Sequence, residues 1–229
     1  MNPEPEHDHH GHHDHGQPNH GHHGHGEEGE LNEHGYKGHR FDDPKAWMAK
    51  FESPERTAWQ KPDALIATLG LTAEMTIADL GAGTGYFAVR FAAAAPQGTV
   101  YAVDLEPTMV AWLTQRADED GLANLEAVQA KPDDPQLPSS VDLVFMCNVF
   151  HHIAEPQAYF EAVAAKLEPG GRAVIVDFRS DNPEDAPGPP AQMRVSAAEI
   201  IEIMQAAGYT LQREDRELLE YQYVLEFTR

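Results

Sequence analysis

Ile77-Ala78-Asp79-Leu80-Gly81-Ala82-Gly83-Thr84-Gly85-Tyr86-Phe87, followed by Val100-Tyr101-Ala102-Val103-Asp104, carries the fold of this chain. The first run reads as a strand feeding a glycine turn into a helix. The second reads as a neighbouring strand that ends in a carboxylate, and together they make a nucleotide-binding βαβ unit. The three glycines serve different ends. Gly81 permits a sharp exit from the strand, Gly83 lets a ligand approach the backbone, and Gly85 lets the next helix pack closely. Asp104 follows Gly83 by 21 residues, which places it at the tip of the adjoining strand, where a carboxylate can accept ribose hydroxyls.

The details exclude two nucleotide sites. A phosphate-cradling P-loop needs Lys-Ser/Thr after its last glycine, and here Tyr86-Phe87 stand there. A dinucleotide fingerprint needs Gly-x-Gly-x-x-Gly, and position 86 is Tyr. Gly-x-Gly-x-Gly after an acidic strand end resembles motif I of the class I S-adenosylmethionine-dependent methyltransferases.

Three further stretches extend the resemblance in the family's order over residues 45 to 229. Asp133-Asp134-Pro135-Gln136-Leu137-Pro138, followed by Val141-Asp142-Leu143-Val144, is similar to the Asp-x-x-x-Leu-Pro loop and fourth strand. Cys147-Asn148-Val149-Phe150-His151-His152-Ile153 is similar to the strand end and His-His turn of the small-molecule branch. Leu167-Glu168-Pro169-Gly170-Gly171-Arg172 is similar to the turn before the fifth strand. The resemblance implies an α/β, Rossmann-like, doubly wound and mostly parallel seven-stranded sheet with helices on both faces and a C-terminal antiparallel hairpin. It implies S-adenosylmethionine as cofactor, held by Asp79, Gly81, Ala82, Gly83, Gly85, Tyr86, Asp104, Leu105, Asp133, Asp134 and Asn148. His151 becomes the candidate base, with Trp59, His152 and Arg194 as candidate substrate residues and no metal in the site. Arg56-x-x-Trp59-Gln60 is loosely similar to a lid element of the ubiquinone/menaquinone C-methyltransferases.

Strand patterns at 76–80, 99–104, 125–130, 141–149 and 172–178 alternate with helix patterns at 85–95, 107–120 and 156–167, and parallel pairing follows from that alternation. Ser53-Pro54 and Lys61-Pro62 open two helices ahead of it, and Ser196-Ala197-Ala198-Glu199 is a capping box. The organisation expected is a His-rich tail (1–40), N-terminal lid helices (41–75) and a cofactor-binding domain (76–229). The connection Asp181 to Arg194, with Pro183, Pro187, Pro189 and Pro190, leaves the edge of the sheet where ligands bind. It is a rim for the acceptor pocket, and Arg194 is its candidate for an anionic substrate group.

Composition narrows the partners. With 38 acidic against 16 basic residues and a net charge of −22, most of the surface repels a nucleic-acid backbone or an anionic membrane. A small-molecule acceptor is the expectation, with no nucleic acid. The single cysteine, Cys147, lies in an apolar strand and reads as a buried structural thiol; it also sets the chain apart from arsenite methyltransferases, which use several. No apolar run is long enough for membrane insertion, and the N-terminus has no signal-peptide core, so the cytoplasm is the expected location.

Of 14 histidines only His151 and His152 lie beyond residue 40. The tail they leave behind has no periodic apolar residues, and imidazoles at that density bind divalent metals such as Zn²⁺, Ni²⁺ or Cu²⁺. Metal acquisition by the tail and a tolerated low-complexity extension both fit. The glycines and Asp104 likewise suit either a methyltransferase or a catalytically silent protein that only binds S-adenosylmethionine or its demethylated product, with the tail sensing or buffering metal.

Overall fold

The structure is a computed structural model that describes residues 43–229; the tail lies outside the described residues. Three helices come first, α1 (Pro44–Phe51), α2 (Pro54–Gln60) and α3 (Pro62–Thr68). The alternation then runs β1 (Ile77–Leu80), α4 (Ala88–Ala94), β2 (Val100–Asp104), α5 (Pro107–Glu119), β3 (Leu125–Gln129), β4 (Val141–Cys147), α6 (Pro156–Ala164) and β5 (Leu167–Phe178). It closes with α7 (Ala197–Ala206), β6 (Thr210–Asp215) and β7 (Gln222–Thr228). Single 3₁₀ turns stand at Phe150–His152 and Ala191–Met193. Helices α1, α2, α3, α5 and α6 each start on proline, whose fixed φ suits the first turn and whose missing N–H would be unpaired there anyway. Ser53 Oγ caps α2 by accepting from Arg56 N at 3.2 Å, and Ser196 Oγ caps α7 by accepting from Glu199 N at 3.2 Å.

The sheet order is β3-β2-β1-β4-β5-β7-β6. β7 pairs antiparallel with both β5 and β6, and the remaining pairings are parallel. Every residue of β1 and β2 is buried, because helices cover both faces and leave no polar side to the central strands. Ala78, Leu80, Met146 and Ile175 pack against Phe160 and Val163 of α6 and Met204 of α7. Ile77, Phe145, Val174 and Val176 pack on the opposite face against Leu65, Phe91 and Leu113.

Three boundaries differ from the sequence reading, each for a backbone reason. Helix α4 starts at Ala88 rather than Gly85, because Gly85 has φ +92° and cannot be helical. β4 stops at Cys147 rather than Val149, because Asn148 turns left-handed at φ +62°. Glu168 to Gly171 do not precede β5 but bulge within it: Leu167 pairs with Val141, and Arg172 pairs with Leu143.

Successive connections leave β1 toward β2 on one side, while β4 lies on its other side. The reversal opens a crevice at the carboxyl ends of these strands. Over it sit α1 and α2, held by Glu52, the residue that follows α1. Its carboxylate takes two guanidinium contacts from Arg116 of α5, one of them Nη2 to Oε2 at 3.1 Å, and the Thr84 hydroxyl at 3.1 Å. Arg116 also donates to the Thr84 carbonyl at 2.8 Å, so one cluster ties the end of α1, the glycine turn and α5 together.

Candidate active site

A cavity of about 420 Å³ occupies the crevice. Its floor is Asp79, Gly81, Ala82, Gly83 and Asp104; its roof is Trp47, Phe51, Arg56 and Tyr86; its far wall is Asn148, His151, His152, Trp59, Phe178, Pro187 to Pro190 and Met193. A smaller cavity of about 60 Å³ adjoins it, sharing Gly81, Asp104, Val149 and His152 and adding Leu105, Ala130, Lys131, Pro132, Ile153 and Tyr159.

Gly81 lies against Val149, where a Cβ would come within 2.4 Å of that side chain. Asp104 closes the turn: Oδ2 accepts from Gly83 N at 2.8 Å and Oδ1 from Glu106 N at 3.0 Å. Asp79 is buried on β1, and its carboxyl is pushed up to about 7, chiefly by burial and then by the Asp104 charge, against pulls from the Ala88 backbone N–H and from Arg56.

On the far wall, His151 sits in the 3₁₀ turn after β4 and is buried. Its Nδ1 lies 3.0 and 3.1 Å from the two carboxylate oxygens of Asp177 near the end of β5. Asp177 is fully buried, and its Oδ1 also accepts from Phe178 N at 2.8 Å. A carboxylate only accepts, so Nδ1 is the nitrogen that carries a proton here, and in the neutral imidazole Nε2 is the one with the lone pair. The His152 ring stacks beside it, centroids 4.2 Å apart, and Trp59 packs on Phe178 at 5.6 Å and Tyr221 at 6.2 Å.

Residues 77–171 match the family described as methyltransferase domain. Superposition on a SAM-dependent methyltransferase from Aquifex aeolicus gives a TM-score of 0.73 at 26% identity, over 81% of this chain and 97% of that one. Residues 77–171 are thus a methyltransferase domain, set in a chain with the fold of an S-adenosylmethionine-dependent methyltransferase. Its sequence is 33% identical over 98 residues to a malonyl-[acyl-carrier protein] O-methyltransferase of Hahella chejuensis, covering 43% of this chain and 34% of the relative. It spans about a third of the length of the curated relatives it matches. The fold is shared with NcsB1, an O-methyltransferase from neocarzinostatin biosynthesis crystallised with S-adenosyl-L-homocysteine and 1,4-dihydroxy-2-naphthoic acid: TM-score 0.66 at 19% identity, over 81% of this chain and 58% of that one.

In a methyltransferase domain such a turn suits an adenosyl group. Gly83 faces the cavity, and a Cβ there would meet nothing nearer than the Phe51 ring at 3.7 Å. Asp79, Gly81, Ala82, Gly83, Tyr86, Asp104, Asn148, His151, His152 and Trp59 all line the large cavity, and Leu105 the small one. Gly85 lines neither; a Cβ there would come within 3.0 Å of Leu113 on α5, so its place is a helix contact.

Two expectations are corrected. Asp133 is exposed and lines neither cavity. Asp134 is taken up in the turn, its Oδ1 accepting from Gln136 N at 2.7 Å, and Lys131 and Pro132 hold the wall where both acids were expected. Arg194 is buried and does not reach the cavity. It donates to the Pro189, Asn182 and Pro183 carbonyls at 2.9, 3.2 and 3.4 Å, which makes it the clasp of the proline loop rather than a substrate ligand.

Sequence reasoning missed Asp177, and it named Arg56 only as part of a lid-like element and not as a residue of the cavity. Asp177 carried a signal, an acid inside the apolar run Ala173-Val174-Ile175-Val176-Asp177-Phe178. The Cys147 thiol is buried and pushed up to about 12 by that burial, as the sequence suggested. Among the described residues no helix is long and apolar enough to cross a membrane.

Proposed function

We propose that the protein methylates an oxygen of a small, flat acceptor, with His151 as the general base and Asp177 as the residue that sets its tautomer. The observation that carries this is the buried His151–Asp177 pair in the cavity wall, opposite the glycine turn. Bound S-adenosylmethionine would supply a methyl group on a positively charged sulfur. Asp104 would take its ribose, the smaller cavity its adenine, and Asp79 with the Gly81 to Gly83 backbone its methionine end.

The chain's own work is alignment and proton removal. The glycine turn, the helices over it and the far wall would hold two reactants in one cleft, and such alignment lowers a barrier by about 7–11 kcal/mol. Nε2 of His151 takes the acceptor proton as the oxygen attacks, worth roughly 10²–10⁴ in rate. Trp59, Phe178, Met193 and the prolines form an apolar slot suited to a planar ring. Net charge of −22 and a cavity of about 420 Å³ support a small molecule over a nucleic acid. A protein that merely held the cofactor has no use for a base beside it.

The test is transfer of radiolabel from S-adenosyl-[methyl-³H]methionine to a panel of phenols, catechols and naphthols, with their O-methyl ethers as controls. Label on free phenols, absent from the ethers, is expected. Label that goes equally to the ethers means carbon is the acceptor and overturns O-methylation.

A further inference from the structure

Gln60 on α2 and Gln222 at the start of β7 are fully buried, and the chemistry above uses neither. They belong to a hydrogen-bonded chain with a direction. The guanidinium of Arg56 can only donate, and its Nε lies 3.3 Å from Gln60. The Gln60 atom facing it is therefore the oxygen. Gln60 Nε2 then donates to Gln222 Oε1 and, at 3.6 Å, to the sulfur of Cys147. Gln222 Nε2 donates in turn to Asn148 Oδ1. Asn148 lines the large cavity on a left-handed backbone. With its oxygen turned toward Gln222, its NH₂ is the end left for the cavity.

We propose that Gln60 and Gln222 are positioning residues that hold Asn148 with its amide NH₂ toward the cavity, as a hydrogen-bond donor to an oxygen of the bound reactants. An N–H there is repelled by sulfonium and ammonium and favours an oxygen carrying negative charge. Two oxygens have that chemistry: the carboxylate of the cofactor's methionine end, and the acceptor oxygen as His151 removes its proton. The identity of the ligand rests on the methyl-transfer reading; the orientation of the amide does not.

Gln60→Glu separates this role from simple packing. The carboxylate it introduces keeps the shape and still accepts from Arg56, but it cannot donate to Gln222. The chain must then reverse: Gln222 donates to the new carboxylate, Asn148 donates to Gln222, and the Asn148 carbonyl faces the cavity. The experiment is solvent exchange of ¹⁵N side-chain amides in the full chain, with resonances assigned by their loss in Asn148→Asp, Gln60→Glu and Gln222→Glu. In the wild type the Asn148 NH₂ is expected to exchange roughly fivefold to tenfold faster than that of Gln222, the effect of one net hydrogen bond. Gln60→Glu is expected to protect Asn148 by the same factor. A protected Asn148 amide in the wild type, or one that Gln60→Glu leaves unprotected, overturns the proposal. If Gln60→Glu does not fold, Gln222→Glu imposes the same reversal at Asn148.

S-adenosylhomocysteine identifies the partner oxygen. Slower Asn148 exchange on its addition assigns the donor to the cofactor carboxylate, and unchanged exchange in the saturated complex assigns it to the acceptor. Failure to bind S-adenosylhomocysteine would remove the methyl-transfer reading, while the exchange order in the unliganded protein would still decide the relay.

Discussion

Asp177 touches both faces of the proposed chemistry through one histidine, and its isosteric change isolates that role. In Asp177→Asn the amide can donate to Nδ1, which moves the proton to Nε2 and removes the base without emptying the space. We expect kcat to fall by about 10²–10⁴ while affinity for S-adenosylhomocysteine, read by calorimetry, stays unchanged. Asp79 makes a second prediction at this scale. Its carboxyl is raised to about 7 in the unliganded protein, so its contribution to stability is fully present below about pH 4 and is lost as pH rises through 7. A bound ammonium favours the ionised form and reverses that. Between about pH 5 and 7, S-adenosylhomocysteine affinity should rise by up to ~tenfold per pH unit and then level off. Asp79→Asn should flatten the profile; a wild-type profile that is already flat would remove Asp79 from the methionine site.

At the scale of elements, two small clusters decide how the cavity is closed. Arg116→Ala removes the bidentate hold on Glu52 and a donor to the Thr84 carbonyl. With both side chains mostly buried, the loss should be about 1–3 kcal/mol, seen as weaker cofactor binding and faster backbone exchange over Pro44–Phe51. Arg194→Ala releases three loop carbonyls on the acceptor side and should raise acceptor KM while leaving cofactor affinity alone. The sequence made the strand–turn–helix elements legible because β1, β2, β4 and the Ala173–Phe178 half of β5 are apolar runs each interrupted by a single acid, and the glycine turn has a fixed spacing. It did not show where Arg194 or Asp133 point. A loop side chain takes its partner from the nearest unpaired carbonyl or N–H, and such partners come from residues the linear pattern does not bring together. Asp177 and the buried glutamines escaped for the complementary reason: their partners, His151, Gln60 and Asn148, are 26 to 162 positions away from them in sequence.

Over the whole molecule the excess of acid acts on whatever approaches, before any contact forms. The chain carries −22, so a cationic ligand is drawn in and an anionic one is held off. S-adenosylmethionine has one positive charge more than its demethylated product, and the proposed site would take both. The field therefore favours the donor over the product, and the preference weakens as salt shortens the Debye length from about 30 Å at 0.01 M to about 8 Å at 0.15 M. We expect the association rate of S-adenosylmethionine, followed by stopped-flow quenching of tryptophan, to fall over that range while that of S-adenosylhomocysteine hardly moves. Product inhibition should then strengthen with salt. Equal salt dependence for the two ligands would mean that Asp79 and Asp104 alone, inside the cavity and poorly screened, account for the discrimination.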